Sequence, residues 1–155
     1  MGKYLILLLT LFIISCDNGT KIDNNINKTE HNFSITHLFG INSIYTNYDK
    51  AFKVAKSENK AVFILFTSKY CRWCTKLRDT TLRDKEIIKR LNSDFIVLLL
   101  DKNYSNYPSK YRIKAVPSVY FTDKNEEIFT SIVGYHKDPN DYIKWFKYIQ
   151  IELAN

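Results

Sequence analysis

Cysteine is scarce in this chain, with three in 155 residues, Cys16, Cys71 and Cys74. A framework of disulfides like those that staple small secreted domains is therefore excluded, and each cysteine has to be read singly. Glycine (4) and proline (3) are almost as scarce, which excludes collagen-like and low-complexity chains. Histidine occurs three times, at His31, His37 and His136, too thinly spread to complete the four ligands of a structural zinc site with the two clustered cysteines. No metal site is expected. Acidic residues are in deficit, 16 against 23 Lys and Arg, for a net charge of +7. Such a surplus suits nucleic acid or an anionic membrane surface. The N-terminus decides for the membrane.

That terminus carries Lys3 and then an apolar run to Ile14, followed by Ser15 and Cys16. A run of about 11 apolar residues is short for a permanent membrane span and suits the core of an export signal. The ending Ile13-Ile14-Ser15-Cys16 resembles the lipobox of bacterial lipoproteins. The resemblance implies a signal peptide over residues 1–15 and Cys16 as the lipidated first residue of the mature chain. The charge surplus would then lie near anionic headgroups, with no nucleic-acid partner. Residues 16–44, rich in Asn and Lys and without sustained periodicity, are expected to form a flexible spacer. Two acidic sequons, at Asn32 and Asn103, are read as chance in so Asn-rich a chain.

What is abundant is aromatic residues, 11 Tyr, 10 Phe and 2 Trp, enough to build one compact domain, expected over residues 45–155. Tyr48, Phe52 and Ala55 share one helical face, with Asn or Asp available at the start and Asn59 at the end. Ala61 to Phe66 and Phe95 to Asp101 are short continuous apolar runs, as expected of strands buried on both faces. Between them lie the Cys-x-x-Cys segment and a helical pattern through Ile87, Ile88 and Leu91, which makes a βαβ unit of a parallel sheet. Val116 to Asp123 and Glu127 to Gly134 read as a hairpin. Asp138 as N-cap and Pro139 at the first helical position open a last helix, with Tyr142, Trp145, Phe146, Ile149 and Leu153 as its apolar stripe.

A two-residue gap at a helix start brings both sulfurs within reach of one disulfide and puts the first beside unpaired N–H groups and the positive helix end. Cys71 should thus be the more acidic thiol, since such motifs lower a cysteine from about 8.5 to about 3.5–7.5. Arg72 adds a neighbouring cation as a tuning residue, and Cys74, one turn on, should be more buried. Haem attachment would need His after the second cysteine, where Thr75 stands. Holding Cu(I) between two thiolates is a weaker reading, disfavoured by the lack of nearby Met or His.

This order of elements, with Cys71-Arg-Trp-Cys74 after the first buried strand and Lys110-Tyr111-Arg-Ile-Lys-Ala-Val116-Pro117 before the hairpin, resembles the thioredoxin superfamily over roughly residues 45–153. Asp101 and Gly134 fall where that family often has Asp and Gly. The Cys-x-Trp-Cys site is similar to thioredoxin-related domains such as the C-terminal domain of DsbD-type periplasmic reductases. The resemblance implies an α/β, thioredoxin-like fold with a central mixed β-sheet and flanking helices. It implies Cys71 and Cys74 as the catalytic pair, a cis bond before Pro117, and Val116, Pro117, Tyr70 and Trp73 as substrate-binding residues. No cofactor beyond the redox-active Cys71–Cys74 disulfide is implied. Three departures from standard thioredoxin stand out: Tyr70 replaces the usual Trp, Arg72-Trp73 replaces Gly-Pro between the cysteines, and Leu65 replaces the buried Asp that assists proton transfer to the second cysteine.

The expectation is therefore a lipid-anchored, periplasm-facing thiol:disulfide oxidoreductase, monomeric, acting on protein disulfides of the cell envelope and exchanging electrons with a membrane thiol reductase or oxidase. The alternative is a non-catalytic envelope lipoprotein that uses the same fold as a binding or chaperone module.

Overall fold

The computed structural model describes residues 37–154. The expected signal peptide, the lipidation site Cys16, most of the expected spacer and the sequon at Asn32 lie outside the described residues. Ten elements follow one another: β1 (Ile44–Tyr45), α1 (Tyr48–Glu58), β2 (Ala61–Thr67), α2 (Arg72–Asp79), a 3-10 turn (Thr81–Arg83), α3 (Lys85–Asp94), β3 (Phe95–Asp101), β4 (Ser118–Thr122), β5 (Ile128–Val133) and α4 (Asn140–Ala154). The five strands form one sheet in the order β1-β3-β2-β4-β5. β1 and β2 run parallel to β3, whereas β4 runs antiparallel to both β2 and β5.

Local chemistry accounts for most of the boundaries. Asn47 caps α1 by accepting the Lys50 N–H, and Asn59 ends it in the left-handed conformation, φ 54°. Asp84 caps α3 by accepting the Glu86 and Ile87 N–H groups. The Asp138 carboxylate accepts the Asn140 N–H at 2.9 Å, so α4 begins one residue later than the proline signal suggests. Along α4, Tyr142, Phe146 and Ile149 are buried, but Leu153 is 40% exposed, beyond the reach of the sheet.

Every residue of β2 and β3 is buried, because the sheet is covered on both faces. Alternate side chains sort into two cores. Val62, Ile64, Phe66, Ile96, Leu98 and Leu100 meet α1. Phe63, Leu65, Val97 and Leu99 meet the face built by α2, α3 and α4, with Phe63, Phe95, Phe121 and Phe146 packed ring against ring at 5.1–6.4 Å. A polar tie closes the α1 face. The Tyr48 hydroxyl donates to Glu126 at 2.9 Å and lies 3.1 Å from the Tyr111 hydroxyl, while Lys110 donates to the same carboxylate at 3.0 Å. Burial pushes the Tyr111 phenol up to about 12. Burial also works against the Glu126 charge, but hydrogen bonds from Lys110 and Tyr48 outweigh it and hold that carboxyl below its ordinary range.

Over residues 37–44, the described part of the expected spacer, the chain is already packed, so the fold begins before residue 45. The packed chain already includes Leu38, which is buried, and Ile41 and Ile44, which pack against the same core. Gly40 makes this possible. Its φ is +72°, and a Cβ there would stand 3.1 Å from Ile88 on α3. Asn92 of α3 donates to the Gly40 carbonyl at 2.7 Å and accepts the Asn42 N–H at 2.9 Å, fixing the strap that delivers β1 to the sheet edge. Positions 38–44 hold four apolar residues, Leu38, Phe39, Ile41 and Ile44, but Phe39 is exposed, and so short a stretch does not mark the strap by pattern alone.

Candidate functional site

β2 runs the full depth of the sheet and ends at Thr67, so the turn Ser68 to Tyr70 places the next residue at the C-terminal edge of the parallel strands. That residue is Cys71, and it is the N-cap of α2. Its sulfur accepts the Cys74 N–H at 3.0 Å, the role a Ser or Asp oxygen plays at other helix starts. Cys74 falls on the inner face of α2 and is fully buried, whereas Cys71 is only partly covered. The two sulfurs are bonded, at 2.03 Å. α2 is short because Thr80 departs from helical geometry, and the 3-10 turn then redirects the chain into α3.

The loop before β4 closes over the first cysteine. The Val116–Pro117 peptide bond is cis, and the Val116 carbonyl oxygen lies 3.6 Å from the Cys71 sulfur. The Pro117 carbonyl accepts the Gly134 N–H at 2.8 Å, which ties this loop to the end of β5. Trp73, Val116, Pro117, Gly134 and Tyr135 line an open groove of about 260 Å³ beside the disulfide. Trp73 stacks on Tyr135 with ring centroids 5.7 Å apart and planes 20° apart. The Arg72 guanidinium lies over the Trp73 ring at 5.1 Å, and Lys69 lies over Tyr70 at 5.3 Å. Tyr70, 87% exposed, is not among the residues of the groove wall. Tyr135, Gly134 and Lys76 were not singled out as binding residues from sequence, since only the fold brings the end of β5 to α2. The Gly134-Tyr135 pair just after a β-branched strand was the available signal.

Leu65, which stands where the resemblance would put a buried Asp, is itself fully buried and pairs with Leu99 and Val119. Two residues along the same strands, Thr67 and Asp101 are paired neighbours with their side chains on the Cys74 face. One Asp101 oxygen accepts the Asn103 N–H at 2.8 Å. Its other oxygen and the Thr67 hydroxyl are buried with no hydrogen-bond partner among the described residues. Asp101 is the one fully buried charged residue among those described. No three His, Cys, Asp or Glu side chains converge among the described residues, and none of the described helices is long and apolar enough to cross a membrane.

The chemical capacity of this arrangement is two-electron exchange with another disulfide. A sulfur at a helix start, served by an N–H donor and open to one side, is suited to attack as thiolate; a buried sulfur bonded to it is suited to resolve.

Comparison with known proteins agrees. The family model for a thioredoxin-like domain matches residues 48–150. Spermatogenesis-associated protein 20 of Mus musculus is 27% identical over 82 residues, 53% of this chain and 10% of that protein. A probable protein disulfide-isomerase ER-60 of Schistosoma mansoni is 26% identical over 101 residues, 64% of this chain and 20% of that protein. The chain thus spans a fifth or less of the length of these curated relatives. Among solved structures, a thioredoxin from Thermus thermophilus superposes with a TM-score of 0.59 at 18% identity, covering 70% of this chain and 87% of that one. The reduced C-terminal domain of DsbD from Neisseria meningitidis superposes with a TM-score of 0.53 at 19% identity, covering 64% and 91%. At such identities the superpositions establish the fold.

Proposed function

The chain belongs to the thioredoxin-like domain family, and from that premise we propose that it is an exported, lipid-anchored thiol:disulfide oxidoreductase that reduces or isomerises disulfides of cell-envelope proteins through Cys71 and Cys74. The observation that carries this reading is the placement of Cys71 as the cap of α2, with its sulfur receiving the Cys74 N–H at 3.0 Å beside a groove that ends at the Val116 carbonyl.

In the reductive direction the Cys71 thiolate attacks one sulfur of the client disulfide. The client S–S bond breaks, its other sulfur leaves as a thiolate, and a mixed disulfide joins Cys71 to the client. Cys74 then loses its proton and attacks the Cys71 sulfur, releasing the second client thiolate and forming the Cys71–Cys74 bond. Two electrons have passed to the client. A membrane thiol reductase would return the pair to the dithiol; an oxidase would run the cycle backward. Val116 and Pro117, with Trp73 and Tyr135, offer backbone and ring surfaces against which an extended client segment can lie.

Two measurements test the parts separately. For the chemistry, equilibration of the chain with glutathione redox buffers should give a single two-electron transition on the reducing side of glutathione, where about 30 mV corresponds to about 1.4 kcal/mol. Absence of any transition, together with wild-type function of a Cys71→Ala/Cys74→Ala chain in cells, would establish the binding-module reading instead. For the anchor, Cys16→Ala should abolish metabolic lipid labelling and shift the protein out of the detergent-extracted membrane fraction or leave it as precursor. Unchanged labelling would remove Cys16 as the anchor and leave the redox chemistry standing.

A further inference from the structure

The edge of the groove beside the dithiol carries cations without counterions. Lys76 Nζ lies over two aromatic rings at once, 5.3 Å from the centre of Trp73 and 5.0 Å from that of Tyr135, the two rings that stack to form the groove wall. The Arg72 guanidinium also lies over the Trp73 ring at 5.1 Å, and Lys69 lies over Tyr70. Among the described residues, no ion pair joins Lys69, Arg72 or Lys76 to a carboxylate. Past Tyr135 the surface sinks into a second depression of about 520 Å³, whose walls include Lys76, Arg83, Lys137 and Asp84. The nearby acids are already engaged. Asp84 caps α3, Asp79 is held by Arg78 at 2.7 Å, and Asp141 faces His136 and Lys144.

We propose that this surface selects client segments in which the reactive cysteine is flanked by Asp or Glu. The inference rests on the oxidoreductase reading and names the substrate class for that same site. A lysine pinned on aromatic faces has lost part of its hydration and part of its side-chain freedom before any client arrives, so a carboxylate that meets it costs little further ordering. Attraction of this kind acts chiefly on encounter and register, and it discriminates strongly against a client carrying cations at the same place. The aromatic wall supplies surface area that is indifferent to client sequence, while the cations supply the preference.

The test uses the full chain in a neutral detergent, reduced beforehand, and three disulfide peptides identical except that the residues flanking the client cysteine are Asp, Asn or Lys. Each exchange rate is divided by that of dithiothreitol, which also attacks as a thiolate but has no cationic surface, to remove the peptide's own reactivity. At about 10 mM ionic strength, where the screening length is about 30 Å, the Asp peptide should exchange on the order of tenfold faster than the Lys peptide. At about 1 M the screening length falls to about 3 Å and the gap should close. Lys76→Gln should shrink the low-salt gap several-fold, whereas Lys147→Gln, which removes the same charge from the exposed side of α4, should leave it. Equal normalised rates for the three peptides, a gap that survives high salt, or a gap untouched by Lys76→Gln would each overturn the inference while leaving the oxidoreductase reading intact. No exchange with any peptide, the Asn one included, would overturn that reading and the inference with it.

Discussion

Cells carrying Cys74→Ala are expected to accumulate mixed disulfides between this chain and its clients, and cells carrying Cys71→Ala to accumulate none. The asymmetry follows from position. Cys71 sits at the positive end of α2, receives an N–H from Cys74 and is open to solvent on the groove side. Cys74 faces the core among Leu65, Leu77 and Leu99, with no line of approach for a client sulfur. Once Cys71 is bonded to a client, Cys74 is held one helical turn away, and its attack is intramolecular, with effective concentrations that reach about 10⁵ M or more in well-oriented systems. Deleting Cys74 removes that step alone, so the intermediate persists until an outside thiol releases it. Acid quenching, alkylation and non-reducing electrophoresis read the result, as high-mass bands that collapse on reduction. Equal trapping by both variants would remove the distinction between the two sulfurs, and trapping by Cys71→Ala alone would reverse it.

The largest effect on stability is expected from Phe63→Ala, a loss of about 3–5 kcal/mol. Phe63 lies at the middle of the central strand, fully buried, with Val97 and Phe121 beside it in the sheet and the rings of Phe121 and Phe146 at 5.5 and 6.4 Å. Truncation removes the transfer free energy of a benzyl group and leaves a void bounded by a sheet on one side and α4 on the other, neither of which can collapse without losing its own contacts. Against a typical total of about 5–15 kcal/mol, this is enough to put the chain near its folding threshold. Urea titration should show a lower midpoint with an unchanged slope. A loss below about 1 kcal/mol would mean that the two layers are not packed as described.

How much of this was legible beforehand differs from element to element. α1, α3 and α4 announce themselves through caps and periodicity, because Asn47, Asp84 and Asp138 satisfy N–H groups within their own turn. β2 and β3 are continuous apolar runs because both sheet faces are covered, and the Cys71–Cys74 spacing carries its own chemistry. The partners that depend on distant segments were not legible. Leu38 finds its place only because Gly40 turns tightly against Ile88, and Tyr135 meets Trp73 only because β5 ends where α2 begins. Neither relation leaves a local pattern that names its partner, although Gly134-Tyr135 after a β-branched strand marks a turn there. The 3-10 turn between α2 and α3 carries no signal of its own either, since Thr81 to Arg83 is too short to show a period.

The place of Trp73 in the sequence between the two bonded cysteines also has an optical side. An excited indole readily gives an electron to a neighbouring S–S bond, which shortens its emission, and a dithiol offers no such acceptor. Trp73 is the tryptophan of the active-site turn, whereas Trp145, the other of the two, sits on α4 against Tyr148. Reduction of the Cys71–Cys74 bond is therefore expected to brighten the part of the emission that comes from Trp73, so fluorescence would follow the state of the dithiol.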